Sequence, residues 1–347
     1  PEIFEGVTDK LYRNRGDGTF EDVSAKAGIA SEASNGLGVI VEDFDDDGWP
    51  DVFIANDGEA NHLWMNQQNG RFREDALVLG VAVNGTGYVE ASMGVTAGDI
   101  DADGDLDLFM THLQNQSNTL YLRQGDWFVD GSNSSGLATP SLEYTGFGTL
   151  FFDIEHDGDL DLVIGNGRVT RGDPLTEVGT DALWNRYAEP NQVFLGDGDG
   201  KFRDVSKTES SFCGLVEITR ALAVADLDAD GDLDLVVANC GGSARIHENI
   251  APKSGHWLVV RAFDKALHRD VYGAVVRVHA GGRVFRRTVG PGNSYLSSGM
   301  IAVHVGLGAV SAVDRIDVDW PGGTKETFQG GAVDRSLKLI RGEGKPR

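Results

Sequence analysis

The sequence predicts an all-β protein, a run of β-propeller blades followed by a small β-sandwich or barrel. Three observations predict it. A nine-residue pattern, Asp-x-Asp/Glu-x-Asp-Gly-x-x-Asp, occurs four times, at Asp43 to Asp51, Asp99 to Asp107, Asp153 to Asp161 and Asp226 to Asp234. A hairpin pattern alternates with it along the first two-thirds of the chain. Glycine is frequent (47) and proline scarce (9) among 347 residues, as many short strands joined by tight turns require.

The hairpins come first in chain order. They pair Leu11–Asn14 with Gly18–Asp22, Leu63–Asn66 with Gly70–Phe72, Leu120–Arg123 with Asp126–Phe128, and Val193–Gly196 with Gly200–Asp204. In each, apolar residues alternate around an Asn/Gly/Asp turn, which is how a hairpin reads in sequence. A fifth, degenerate copy, Ile246–Asn249, closes the series. The nine-residue pattern sits in a second hairpin of each repeat, as in Gly38–Val41 followed by Asp51–Ala55. One period is therefore about four strands, the content of one propeller blade. Four full blades and a partial one are visible, and the chain opens mid-blade at the Leu11 hairpin.

The nine-residue pattern places carboxylates at positions 1, 3, 5 and 9 around a glycine at position 6. Hard oxygen ligands at odd spacing about a sharp turn suit Ca²⁺, which takes six to eight oxygens. An EF-hand needs a bidentate Glu at position 12 between two helices. Position 12 here is Ile54, Met110, Ile164 and Val237, each inside an apolar run. An EF-hand is excluded, and a calcium loop between two strands takes its place. About four Ca²⁺ are expected, with a structural role: without metal the gathered carboxylates repel one another and splay the hairpin.

The loops and hairpins together resemble the FG-GAP/VCBS calcium-binding repeats of integrin-α-type propellers over roughly residues 5–250. The resemblance implies a ring that usually has seven blades, so that blades preceding this segment are expected. It also implies the ligands. These are the side chains of Asp43, Asp45, Asp47 and Asp51; Asp99, Asp101, Asp103 and Asp107; Asp153, Glu155, Asp157 and Asp161; and Asp226, Asp228, Asp230 and Asp234. The backbone carbonyls of Trp49, Asp105, Asp159 and Asp232 at position 7 complete the sets. Glu155 departs from the usual Asp.

Beyond Pro252 the character changes, which divides the chain into 1–252 and 253–347. Strand-like runs at His256–Arg261, Gly273–His279, Arg286–Val289, Ser294–Ser298, His304–Gly308 and Ile316–Gly322 resemble the ASPIC/UnbV domain. The Tyr-Leu-Ser, His-x-Gly-Leu-Gly and Trp-Pro-x-Gly elements carry that resemblance, with Val305 where Phe is common.

Charge is divided unevenly. The net is −24, yet Ala251–Arg347 holds 15 Lys/Arg against 8 Asp/Glu, which leaves 15 basic and 46 acidic residues in the first 250. That acidity argues against nucleic acid as a partner. The basic residues of the last segment are scattered, which favours a solvated surface over docking on the acidic part or meeting an anionic partner. No run of 18 apolar residues exists to span a membrane. Two cysteines, Cys213 and Cys240, are too few for a disulfide framework; a pair and two free thiols are both open. Loops this acidic suit a secreted or periplasmic location, where calcium is abundant.

Catalytic motifs are lacking: there is no Gly-x-Ser-x-Gly elbow, His-Glu-x-x-His helix or phosphate loop. His304 reads as structural rather than as a general base or metal ligand; His62 and His112, near strand ends in successive blades, are placed to face the propeller mouth, where two separated histidines make no zinc site. Arg15-Gly16-Asp17 is a hairpin turn, and Arg171-Gly172-Asp173 lies in an inserted stretch at Gly165–Glu189. Trp49, Trp64 and Trp127 are expected in blade interfaces, whereas Trp184 lies in the insertion. The expected function is an extracytoplasmic binding or scaffold protein, recognising a protein or glycan partner through propeller loops, the 165–189 insertion among them. The alternatives are an enzyme, with its pocket at the propeller mouth or interdomain cleft, and an architectural subunit of a secreted assembly.

Overall fold

The computed structural model describes residues 5–175, 183–290 and 294–347. Three four-stranded antiparallel sheets form blades in chain order. Blade 1 is Gly36–Glu42, Asp51–Asn56, His62–Asn66 and Phe72–Glu74. Blade 2 is Val95–Gly98, Asp107–Met110, Thr119–Gln124 and Trp127–Asp130. Blade 3 is Gly146–Phe152, Asp161–Asn166, Gln192–Gly196 and Phe202–Asp204. Blade 4 has three strands, Thr219–Ala225, Asp234–Asn239 and Arg245–His247, because the degenerate hairpin after Ile246 supplies no outer arm. A leading hairpin, Tyr12–Asn14 with Phe20–Asp22, stands where the outer half of a preceding blade belongs.

Apolar alternation on both faces of each sheet lets the blades stack. One buried cluster joins Ile40, Phe53 and Leu63 of blade 1 to Leu108, Tyr121 and Phe128 of blade 2. A second joins Phe109 and Leu120 to Leu162 and Phe194 of blade 3, and a third joins Val163 and Val193 to Leu222 and Leu235 of blade 4. Inner strands crowd together near the axis. A Cβ at Gly94 would lie 1.8 Å from the Phe147 carbonyl oxygen, so only glycine fits.

Each nine-residue pattern turns the chain from inner to second strand. Position 9 is the first residue of the second strand in all four copies, at Asp51, Asp107, Asp161 and Asp234. Position 12 falls inside that strand and is buried, at Ile54, Met110, Ile164 and Val237. Position 4 adopts a left-handed backbone every time, with φ of 58° at Asp46, 59° at Ala102, 65° at His156 and 65° at Ala229.

The C-terminal body is a two-sheet β domain. His256–Asp264 lies between Val303–Gly308 and a parallel Arg335–Ile340. The other sheet orders Arg283–Val289, Ala274–Ala280, Ala312–Trp320, Thr324–Ala332 and Lys345–Pro346. Val260, Val276, Val278, Val305, Ile316 and Trp320 fill the core between them.

One segment of this body enters the propeller axis. Ser294 exchanges backbone hydrogen bonds with Val95 of blade 2, donating at 2.7 Å and accepting at 3.3 Å. The Ser294 hydroxyl accepts from the Thr149 amide of blade 3 at 3.0 Å. The Ser297 hydroxyl and Met300 amide donate to Leu222 and Val224 of blade 4 at 2.7 and 2.9 Å. Tyr295 packs edge-on against Phe147 at 5.1 Å between ring centroids. The Tyr-Leu-Ser element thus ties three inner strands together.

The inserted stretch is shorter than its sequence bounds, and residues 176–182 of it lie outside the described residues. Asn166 still belongs to the second strand of blade 3, and Glu189 is fully buried, accepting from the Thr145 amide at 2.9 Å. A bridge between Gly167 and Ala188 closes its neck.

Candidate metal centres

The nine-residue patterns bring their carboxylates together. Ligand atoms of Asp43, Asp45 and Asp51 lie within 4.8 Å of one another, as do those of Asp99, Asp101 and Asp103, of Asp153, Glu155 and Asp161, and of Asp226, Asp228 and Asp230. Positions 1 and 3 join in every copy, with position 9 in the first and third and position 5 in the second and fourth. The longer Glu155 arm reaches its cluster.

Backbone amides hold the acids in place. At position 9, one oxygen accepts from the position 2 amide, at 3.0 Å for Asp51, 3.2 Å for Asp107, 2.8 Å for Asp161 and 2.9 Å for Asp234. The other oxygen accepts from an amide on or just beyond the third strand, that of Asn66, Arg123, Gly196 or Asn249. One side chain thus staples loop to blade. Position 1 accepts from the glycine amide at position 6, at 2.9 Å for Asp43 and 2.8 Å for Asp153. Position 5 caps the position 7 amide in all four copies, leaving the position 7 side chain directed elsewhere.

Electrostatics favour a cation in these loops. Burial raises Asp43 to about 6, Asp51 to about 7, Asp99 to about 6, Asp107 to about 8 and Asp153 to about 7. Burial likewise raises Asp161, with Glu155 beside it adding to the effect. The fit to a metal is tested by orphaned atoms. Asp99 Oδ1, Asp226 Oδ1 and Glu155 Oε2 are buried and lack a hydrogen-bond partner, each inside one of the clusters. Buried carboxylate oxygens without donors are costly unless a cation meets them. All-oxygen sets of this kind suit Ca²⁺ rather than a softer metal.

Position 7 acids face basic residues. Asp105 lies 3.6 Å from Arg123, Asp159 2.5 Å from Arg283, and Asp232 2.6 Å from Lys253. Asp46, at position 4, meets Arg277 at 3.2 Å, Arg286 at 3.1 Å and Arg123 at 3.5 Å. The Gly308 amide donates to the His156 carbonyl, and His304 Nε2 donates to the Gly231 carbonyl, both at 2.9 Å. Three of the four loops therefore carry the C-terminal body. This corrects the expectation of a solvated basic surface: scattered in sequence, Lys253, Arg277, Arg283 and Arg286 converge on the loops. The uneven charge between the two segments was the signal that pointed to it.

Other expectations resolve locally. His304 is buried and lowered to about 3, so it is a neutral structural histidine. His112 is lowered to about 4 by burial and sits 3.1 Å from the Thr119 hydroxyl. His62 is buried near Asp9 and Glu32. Cys213 is buried and Cys240 exposed, both free. Trp64 is buried, but Trp49 and Trp127 are not interface residues as expected: both are exposed, Trp49 in a loop and Trp127 on an outer strand. Arg171 Nε donates to the Tyr187 hydroxyl at 3.0 Å, which ties the second Arg-Gly-Asp into its own insertion. The axis is taken by residues 294–300, and the space between the two bodies is a chamber of about 120 Å³ lined by Glu42, Arg286, Arg287, Thr288 and His304. No described helix is long and apolar enough to cross a membrane.

Comparison with known proteins agrees with this geometry. Residues 5–54, 43–110, 99–164 and 180–237 match the FG-GAP-like repeat model, and residues 264–346 match the ASPIC and UnbV model. Cartilage acidic protein 1 of Homo sapiens is 28% identical over 167 residues, covering 45% of this chain and 24% of that protein. The Xenopus tropicalis protein of the same name is 26% identical over 255 residues, covering 68% of this chain and 35% of that one. The chain thus spans about a quarter to a third of the relatives it matches. A solved structure of an Agrocybe aegerita lectin that recognises non-reducing terminal N-acetylglucosamine is 13% identical, with a TM-score of 0.32, covering 95% of this chain and 94% of that one. At that TM-score the likeness decides nothing about this molecule. The repeat matches cover most of the chain and coincide with the four acidic loops, and the chain belongs to the FG-GAP-like repeat family, with an ASPIC and UnbV domain behind the repeats.

Proposed function

We propose that this chain is a calcium-stabilised, extracytoplasmic recognition or scaffold module that holds a protein or glycan partner. Four Ca²⁺ are assigned, one to each loop. The side chains at positions 1, 3, 5 and 9 serve as ligands, with the carbonyls of Trp49, Asp105, Asp159 and Asp232. Bound calcium neutralises the gathered carboxylates and so fixes the turn between inner and second strand. We divide the chain into a propeller part, 1–252, and a C-terminal domain, 253–347.

The observation that supports recognition best is the difference between the two propeller faces. The loop face is occupied by the C-terminal body. The opposite face is built from second-to-third strand loops and blade-to-blade connections, and it leaves Tyr88, Leu142, Val169, Leu175 and Trp184 exposed. Exposed apolar side chains on loops held by a rigid scaffold favour binding over catalysis. The word cartilage in the relatives' name supports an extracellular setting.

The test is a screen of immobilised glycans and extracellular matrix proteins in calcium, with wild type and a variant whose residues 169–186 are replaced by a short Gly-Ser linker. The neck bridge keeps the two ends close, so the fold is spared. Binding lost in the variant with an unchanged melting temperature supports the reading. Binding retained removes the insertion from it, and no binding by either protein counts against recognition altogether.

A further inference from the structure

We propose that the chamber between the propeller axis and the C-terminal body binds a small monovalent carboxylate ion on the Arg287 guanidinium. The chamber, of about 120 Å³, is lined by Gly98, Phe152 and Val224 from three blades and by Arg287, Met300 and His304 from the body. At roughly 10–15 Å³ for each water-sized group it has room for about ten, which bounds the ligand.

Arg287 is the reason to expect an anion there. Its Nη1 donates to the Arg286 carbonyl at 2.8 Å, while Nε and Nη2 are buried and have no partner. Those two nitrogens form one edge of the guanidinium, the fork that receives both oxygens of a carboxylate. Among the described residues no carboxylate forms an ion pair with it; its nearest negative neighbours are Asp99 and Asp153. Both oxygens of Asp153 already accept from its own loop, from the His156 amide at 2.7 Å and the Gly158 amide at 2.8 Å. Asp99 stands at position 1 of the second loop, where its orphaned oxygen is assigned to calcium, and to that extent the proposal rests on the calcium reading. A buried guanidinium without a counter-charge is costly, and arginine does not escape by giving up its proton. Water satisfies its hydrogen bonds but leaves the charge unanswered.

Arg286, the preceding residue, sets the ligand's charge. Its own charge stands against Asp46 at 3.1 Å and the buried Glu42 carboxylate. Only Arg287 is left over, so one negative charge completes the chamber, and Glu42 would repel a dianion such as sulfate. A halide lacks the paired oxygens that fit the fork. Glu42 Oε2, Thr288 Oγ1 and His304 Nδ1 are also unpartnered around the chamber and would take water or a ligand hydroxyl beside the carboxylate. None of these residues belongs to the insertion, so the site is separate from partner recognition.

The test is a series of melts of the whole chain, loaded with calcium and analysed for metal beforehand, in rising acetate with ionic strength held constant by chloride. The melting temperature is expected to climb by about 2 °C for each tenfold rise in acetate above its Kd. Sulfate at the same ionic strength is expected to leave it unchanged. Arg287→Gln removes the fork and is expected to flatten the acetate response. In acetate-free buffer this variant should melt no lower than wild type, because it removes an unanswered buried charge. Ala302→Leu keeps both guanidinia but adds bulk to the chamber wall, and is expected to flatten the response as well. Calcium-loaded wild type that does not respond to acetate, responds equally to sulfate, or is matched in its acetate response by Arg287→Gln overturns the proposal. Those results leave the calcium reading standing, since that reading fails only when the metal analysis finds no calcium.

Discussion

Replacing Asp46 by Asn removes one negative charge at the contact between the first acidic loop and the C-terminal body. Asn tolerates the left-handed backbone at this position, so the loop conformation survives. The loss falls unevenly on three cations. Arg277 keeps Asp319 at 2.7 Å and Arg123 keeps Asp105 at 3.6 Å. The Arg286 side chain is fully buried and retains the Asp43 carbonyl, at 3.3 Å, as its hydrogen-bond partner, with the buried Glu42 carboxylate as its remaining electrostatic neighbour. Stripping the partner from a buried ion costs about 3–5 kcal/mol. The Asp46 side chain is 33% exposed, so solvent screening reduces this to about 2 kcal/mol. The amides of Ser294 and Met300 are bonded across the contact and open when the body lifts from the blades. Hydrogen exchange at both is expected to accelerate about 30-fold, the equivalent of that energy. Val276, inside the C-terminal sheet, is expected to hold its rate. Unchanged exchange at Ser294 and Met300, or equal acceleration at Val276, would refute the docking argument.

Two further outcomes follow from the loops. Asp103→Ala is expected to lower the melting temperature in calcium and to change it little in chelator, because its loss is a lost ligand; an equal drop in both conditions would remove it from the site. Calcium-stripped protein is expected to melt higher at pH 5 than at pH 8. Asp43, Asp51 and Asp107 are raised to about 6, 7 and 8, far above the ordinary value of about 3.9, so the metal-free fold holds protons that the unfolded chain releases. That stability is complete below about pH 4 and is lost as pH rises through about 6 to 8. Calcium takes the place of the protons and should flatten or reverse the trend; stripped protein that is more stable at pH 8 would contradict the burial of these acids.

The acidic loops were legible because their information is local. Nine residues fix both the turn and the donor set, and position 12 at Ile54, Met110, Ile164 and Val237 excluded the nearest rival within the same stretch. What sequence did not reveal is long-range. Arg286 and Asp46 are 240 residues apart, and nothing in the spacing of either points to the other. Asp46 itself occupies a filler position, shared with Ala102, His156 and Ala229, and acquires its role only from what packs above it. Ser294–Ser298 read as another strand, whereas its side chains and amides find partners on three different blades. Trp49 and Trp127 show the same limit: a place in the repeat tells which strand or loop a residue occupies, but not whether a neighbour covers it.

If the four loops hold calcium and thereby hold the fold, chelation should loosen it. At about ten times a Kd near 10⁻⁴ M, each bound ion would contribute roughly 1.4 kcal/mol, or about 6 kcal/mol over four sites. The direct measurement is a thermal melt in about 1 mM calcium and again in excess chelator, with metal analysis of the same protein. A large drop on chelation, with about four calcium ions per chain, is the predicted result. No drop, or zinc or iron in place of calcium, would contradict it.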